Sequence, residues 1–413
     1  MKILMINSFY YNRGGDTTYT FNLTKLLESN GHKVVPFAMQ HPLNFKTKYS
    51  KYFVSEINLA KELEKRTVRS GLRVASRFIY SFEARKKIEE LVQKEKPDIA
   101  HLQCIHGYIT PSILSILKKR DIPIVWTQHD YKLICPNSIF FSHGSVCEVC
   151  KKRKFYMSII RQCRRDSLRA SFMVCIEAYM HRFLRLYSNV DKFLCPSIFL
   201  INKLKEYGFK EDRLVYMPNF VNIEKFSPCF SPGSYILFFG KLDTYKGIMI
   251  LLEAMKKNPM IKLKIAGDGD QKSVLEKFAE QQGLKNVEFT GFKSGRDLDC
   301  LIRNSAFVVF PSICYENAPF SILESFSYGK PVIGSNLGGV SELITDGEDG
   351  LVFEPGNSED LSRKIQFLID KPKIIIEMGK NARAKVEKRF SPTPHYKSLM
   401  QMYNKVLNKP SII

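Results

Sequence analysis

Residues 310–344 read FPSICYENAPFSILESFSYGKPVIGSNLGGVSELI, and this stretch limits the possible folds more than any other. A buried-looking strand runs to Pro311, a loop holds Glu316, and a short helix whose first turn suits Pro319 carries Glu324 in its body. Gly329 stops that helix and PVIGS reads as the next strand. Strand, loop, helix and strand make a βαβ unit, and open parallel sheets bind ligands at the carboxyl ends of their strands, where Glu316 falls. The first turn of the helix presents N–H groups and the positive end of a dipole, which suits an anion such as a diphosphate. Glu316 and Glu324 would flank that anion and accept hydrogen bonds from hydroxyl groups. A surface loop acid and a solvated helix acid are the competing reading of the same spacing.

The same alternation surrounds the stretch on both sides. Strand YILFFG, loop KLDTYKG and a helix to about residue 257 are followed by IKLKIAG, helix 271–282, VEFTGF, helix 295–303 and AFVVFPS, a doubly wound α/β pattern. Helices interrupted at Pro372 and near residues 391–394 end the chain. The first half repeats the theme: MKILMINSF is a strand, the turn Asn12-Arg13-Gly14-Gly15 opens into helix 17–30, and HKVVPFA is a second strand. IAHLQC, IPIVWTQHD, DKFLCPS and LVYMPN continue the strands, while basic residues and the spacing of Val74, Phe78 and Phe82 predict one or two amphipathic helices across 46–96. Pro218, Pro228, Pro232 and Gly233 mark a linker. The expected organisation is a first domain over 1–218 with a Cys-rich insertion at 135–163, a linker over 219–232, a second domain over 233–390, and a C-terminal helix over 391–413 returning to the first domain.

Composition limits the partners and the compartment. The 413 residues are 44% hydrophobic and 25% charged, as in soluble globular proteins, and too many for one core. MKILMINSFYY suits a first strand better than a signal peptide, and no run approaches the roughly 18–20 apolar residues of a membrane span. A cytoplasmic protein is expected, its ten cysteines mostly reduced. Of the formal charge of +22, residues 1–190 carry 32 Lys+Arg against 15 Asp+Glu, a net +17. Such a surface could meet nucleic acid, anionic lipid or an anionic substrate.

Three local features of the first half carry chemistry. His129, with Asp130, ends a strand at the same sheet edge as Gly14 and Gly15, where it is either structural or catalytic. Cys135, Cys147, Cys150 and Cys163 could close a tetrahedral zinc site in a loop poor in hydrophobic residues; unligated thiols, or a redox or iron–sulfur role, are the alternatives. Between residues 167 and 187, Phe172, Ile176, Tyr179, Phe183 and Leu186 recur at helical spacing between basic flanks. That stripe would either pack on the sheet or lie on an anionic membrane.

Gly14, Gly15, His129, Lys241, Lys246, Gly267, Glu316 and the helix start after Ala318 all fall on strand carboxyl ends. Two facing Rossmann-like domains would bring these edges to one cleft, with cations for phosphate and carboxylates for ribose and sugar hydroxyls. In order along the chain, GGDTTYTFNLTKLLESNGHKV, Gln128-His129-Asp130, PNFVNIEKF, GKLDTYKG, AGDGD, Glu316-x7-Glu324, GKPVIGSNLGGVSELI and DGLVFEP resemble a family 4 glycosyltransferase over essentially the whole length. The resemblance implies the two-domain GT-B fold and metal-independent, retaining transfer of a sugar from a nucleotide diphosphate. The acceptor would be a saccharide of cell-surface polysaccharide synthesis; the basic first half suggests that it is lipid-linked and met at the inner face of the membrane, a merely solvated basic surface being the alternative. The resemblance further implies that Lys241 and Lys246 hold the diphosphate, that Gly14 and Gly15 close over it, and that Gly267, Ala318 and Phe320 border the donor. Glu324 would take the ribose, Glu316 the transferred sugar, and His129 would sit beside that sugar. Lys241 stands where the family more often has Arg, and ENAPFS replaces a glycine-rich version of the loop. The rival readings are a nucleotide-sugar epimerase or hydrolase on the same architecture, and a basic nucleic-acid binder that would leave both glutamates unexplained.

Overall fold

A computed structural model describes residues 1–57 and 77–407. The chain divides into two units, one of residues Met1–Ile139, Glu148–Met217 and those from Tyr396 onward, the other of Phe140–Cys147 and Pro218–His395.

The first unit runs β1 (Lys2–Ile6), α1 (Gly15–Ser29), β2 (Lys33–Phe37), α2 (Phe82–Glu95), β3 (Ile99–Leu102), α3 (Leu114–Lys119) and β4 (Ile124–Thr127). After the hairpin of β5 (Phe141–Ser142) and β6 (Ser145–Val146), which counts with the second unit, come α4 (Met157–Ile160), α5 (Leu168–Phe183), β7 (Lys192–Cys195), α6 (Ile198–Glu206) and β8 (Leu214–Tyr216). Its sheet has the order β2-β1-β3-β4-β7-β8, every pair parallel. β3 and β4 are buried along their whole length, as parallel strands covered on both faces must be.

The second unit runs β9 (Ile236–Phe239), α7 (Ile248–Lys256), β10 (Leu263–Ala266), α8 (Lys272–Gln281), β11 (Val287–Gly291), α9 (Gly295–Arg303), β12 (Val308–Phe310) and α10 (Phe320–Ser327). It continues with β13 (Val332–Ser335), α11 (Val340–Leu343), β14 (Gly350–Phe353), α12 (Ser358–Ile369) and α13 (Pro372–Arg389), and α14 (Pro392–Leu407) ends the described chain, counted with the first unit from Tyr396 onward. The all-parallel order is β11-β10-β9-β12-β13-β14. Period-two geometry sends Ile236 and Phe238 of β9 into one core and Leu237 and Phe239 into the other, so one strand supplies both faces.

Three expectations change. Residues 46–57 hold a single 3-10 turn, Ser50–Tyr52, and Phe82 is exposed because α2 buries Ala84, Ile88, Leu91 and Val92 instead; Val74 lies outside the described residues. Pro319 is the N-cap of α10 and stands just before its first turn. Three members of the stripe face outward on α5, Phe172, Tyr179 and Phe183 being 50%, 40% and 80% exposed, whereas Ile176 is half-buried and Leu186, past the helix end, is buried; Val174, Cys175, Glu177 and His181 of α5 are buried. Polar groups occupy the inner face because they find partners there: Glu177 pairs with Lys132 at 2.7 Å, and the His181 ring bonds the Ile79 carbonyl and the Tyr187 hydroxyl.

Candidate functional site

In the second unit the strand order reverses between β9 and β12, the topological switch point at which open α/β sheets bind ligands. The loops leaving these two strands carry Lys241, Lys246 and Glu316. Lys246 Nζ donates to Glu316 Oε1 at 2.6 Å, and Ser312 Oγ donates to the same oxygen at 3.0 Å. Burial opposes the charge on Lys246, but Glu316, through charge and hydrogen bond together, outweighs it and holds the ammonium above its ordinary pKa. Lys241 is more exposed and pairs with the buried Asp243 at 2.8 Å.

The two loops are stitched to each other by backbone. Ile313 N–H donates to the Tyr245 carbonyl, which also lies 3.1 Å from Ser312 Oγ, and Ser335 Oγ at the end of β13 donates to the Ser312 carbonyl. Gly247 has φ +68°, and a Cβ there would stand 1.9 Å from the Pro311 carbonyl oxygen, so only glycine lets the Lys246 turn approach β12. From the other side, Gly339 N–H donates to the Glu316 carbonyl at 2.7 Å, and a Cβ on Gly339 would meet the Asn317 oxygen at 1.7 Å. The NLGG segment thus wedges the Glu316 loop into place. Asn219 donates to the Ala318 carbonyl at 2.9 Å, just before Phe320 opens α10.

Glu324 lies one turn into α10. Burial first, and then the charge of Asp299, push its pKa up to about 7. Gly267 directly follows β10, and a Cβ there would strike the Gly240 carbonyl at 1.9 Å, so close packing of the two segments demands that glycine. The hairpin β5–β6 also bears on this unit: Phe140 meets the Tyr315 ring edge-on at 6.0 Å and Phe141 meets Tyr245 at 6.3 Å, beside Glu316 and Lys246.

The first unit has its own switch point between β1 and β3. Gly14 caps α1 after β1 with an extended φ of 179°, and a Cβ there would touch only Asp16, so chain geometry alone does not require this glycine. Thr17 Oγ1 accepts from the Arg13 and Gly14 amides and so orders the turn, while Gly15 is the first residue of α1. His129, after β4, shares a hydrogen bond with Gln103 Oε1 at 2.7 Å and meets the Tyr19 ring edge-on. Burial lowers its pKa to about 4 against the opposing charge of Asp16, so the imidazole is neutral at physiological pH. Asp130, beside it, is raised, chiefly by burial.

Of the four cysteines singled out by spacing, Cys135 and Cys150 are buried, Cys147 and Cys163 are half-buried, and Cys147 counts with the second unit. Cys150 packs with Phe155 and Cys175 in a small apolar cluster. Among the described residues, no group of three or more His, Cys, Asp or Glu side chains within either unit is placed to hold a metal.

Sequence reasoning passed over Ser312, Asp299, Asn219, Gln103 and Asp16. Gln103 and Ser312, just after strands, and Asp16, directly after Gly-Gly, carried a positional signal; Asp299 and Asn219 act through contacts between distant segments.

Residues 13–225 match the family described as Glycosyltransferase Family 4, and residues 222–385 match Glycosyl transferases group 1. An uncharacterised glycosyltransferase of Methanocaldococcus jannaschii is 32% identical over 206 residues, 49% of this chain and 56% of that protein. An O-antigen chain mannosyltransferase C of Escherichia coli is 29% identical over 180 residues, 43% of this chain and 48% of its own. The match therefore spans about half the length of these relatives. Among solved structures, Anabaena HepE in complex with UDP superposes with a TM-score of 0.67 at 16% identity, covering 98% of this chain and 100% of that one. Two parallel-sheet α/β units of this kind are those of the GT-B fold, and the chain belongs to glycosyltransferase family 4.

Proposed function

We propose that the chain transfers a glycosyl group from a nucleotide diphosphate sugar to a hydroxyl of a saccharide acceptor, with retention of anomeric configuration. The observation that carries this reading is the Lys246–Glu316 pair at the switch point, directly ahead of α10. An arriving diphosphate would take Lys241, Lys246 and the N-terminal amides of α10, which together stabilise the charge that grows on the leaving phosphate as the glycosidic bond breaks. Glu316, held by Lys246 and Ser312, is suited to orient the hydroxyls of the transferred sugar. Attack on the same face, with the leaving phosphate accepting the acceptor's proton, would retain configuration without a protein nucleophile. Glu324, ionised above about pH 7, would accept from the ribose hydroxyls.

In the first unit, neutral His129 would sit beside the transferred sugar and the Gly14 turn beside the phosphates. A lipid-linked saccharide of cell-surface polysaccharide synthesis, met in the cytoplasm, is the acceptor class this reading favours. No metal is assigned to the chemistry. For the cysteine loop, zinc bound in proportion to the chain and released by Cys→Ser substitution would support a structural site; its absence from freshly purified protein would leave four thiols.

The deciding experiment is a thermal-shift panel of nucleotide sugars followed by a transfer assay. UDP-sugars come first because the Anabaena neighbour is described in complex with UDP. Stabilisation by one donor, with sugar transferred only when acceptor is present and with retained configuration by NMR, is expected. Epimerised or hydrolysed donor at full rate without acceptor would overturn it.

A further inference from the structure

Two features of the first unit take no part in the proposed chemistry. The first is the inverted α5, whose 16 residues, about 24 Å of helix, carry Phe172, Tyr179 and Phe183 on an outward face. The second is a cavity of about 300 Å³ where α5 ends. Its walls are the end of α5, the turn Leu186–Asn189 and the segment 208–213, which precede β7 and β8. The cavity therefore opens at the amino-terminal edge of the sheet, away from the carboxyl edge that carries His129 and Gly14.

The lining holds Arg153, Arg182, Arg185, Lys210 and Arg213, and no carboxylate. Arg213 donates to the Tyr187 and Ser188 carbonyls, and Arg182 to the Leu133 carbonyl. Among the described residues none of the five forms an ion pair with a side chain, and Arg182 Nε is buried without a partner. The Arg182 guanidinium lies 4.6 Å over the Phe209 ring, which holds it at the cavity wall. Concentrated positive charge in a concave site calls for a phosphate-sized anion, and the apolar face beside it calls for a hydrocarbon environment.

We propose that this face docks on an anionic lipid bilayer, with a headgroup phosphate in the cavity and Phe172, Tyr179 and Phe183 in the acyl boundary. Aromatic residues at that depth with arginines at the headgroup level are what such an interface favours. Charge decides the occupant: a second copy of the chain would set the same basic half, net +17 over residues 1–190, against itself. The proposal does not rest on the donor reading, because vesicle binding is measured with neither donor nor acceptor.

The test is flotation of the full chain with phosphatidylcholine vesicles, with and without phosphatidylglycerol. Wild type is expected to bind only the anionic vesicles. The double variant Phe172→Ser/Phe183→Ser should bind them about tenfold more weakly, and Arg185→Gln/Lys210→Gln about fivefold more weakly for each charge removed. Inorganic phosphate should compete better than chloride at equal ionic strength. The melting temperature and nucleotide binding of each variant report whether it is folded, and these solvent-facing substitutions should leave both unchanged. Equal binding by the serine variant, equal binding to neutral vesicles, or phosphate no better than chloride would each overturn the proposal.

Discussion

The two units are built on the same parallel-sheet plan and differ in where they keep their charge. In the second unit, both lysines at the switch point already hold carboxylates, Lys246 with Glu316 and Lys241 with Asp243. In the first, five cations line the cavity at the opposite sheet edge, where Arg182 and Arg213 donate to carbonyls and, among the described residues, none of the five forms an ion pair with a side chain. A paired cation can receive a phosphate and return to its carboxylate when the phosphate leaves, which suits turnover. An unanswered basic cavity has no such exchange partner and suits standing attraction. The carboxyl edge of the first unit differs again, since its His129 is neutral and placed by Gln103 and Tyr19.

The comparison breaks most directly at Lys246. Lys246→Ala is expected to lower turnover by about 10²–10³-fold, by removing charge stabilisation from the leaving phosphate. Glu316→Gln, which keeps an acceptor for Lys246, should lower turnover while leaving nucleotide affinity nearly intact. Steady-state kinetics with calorimetric titration of nucleotide separate the two, and near-normal turnover in either variant would remove the pair from the chemistry.

Next in size is Gly339→Ala. Its methyl group must displace the Asn317 carbonyl, and a loss of about 3 kcal/mol in denaturant unfolding is expected, with turnover falling because Glu316 moves. The matching change in the first unit, Gly14→Ala, meets no protein atom closer than 3.6 Å and should leave stability unchanged. If Gly14 also approaches the donor phosphates, that variant will still raise KM.

Smaller effects follow pH. Glu324 has its pKa raised to about 7, so nucleotide affinity should fall as pH drops below 7 and the carboxylate takes up its proton, and Glu324→Gln should flatten that slope. His395 in the second unit has its pKa lowered to about 4 by burial, outweighing its bond to the Pro218 carbonyl. Its contribution to stability is present above the ordinary imidazole pKa and lost as pH falls toward 4. A decline of about 3 kcal/mol over that window is expected, absent in His395→Phe. His129 is lowered in the same direction, so no imidazole titration should appear in the rate profile between pH 5 and 8.

Much of the fold could be read directly because its signals are local. Continuous apolar runs such as ILFF, with loop residues on either side, mark strands buried on both faces, and helix Gly295–Arg303 has the bounds its periodicity predicts. The places of Lys246 and Glu316 were legible because in an α/β alternation the loops that leave the strands lie at the ligand-binding edge, and that of Glu324 because a helix follows such a loop.

What the sequence by itself determined, then, is two parallel-sheet units, the positions of their strand ends, and a family pattern spread along the whole chain. The tertiary structure alone decided which cations are paired, that Ser312 and Gly339 fix Glu316, that burial beside Asp299 keeps Glu324 titrating near neutrality, and that Phe140 and Phe141 reach the site. It also decided which way α5 faces. A helical stripe records only that apolar residues share one side. Which side is buried depends on the partners the fold supplies, and here Lys132, Ile79 and Tyr187 drew the polar side inward.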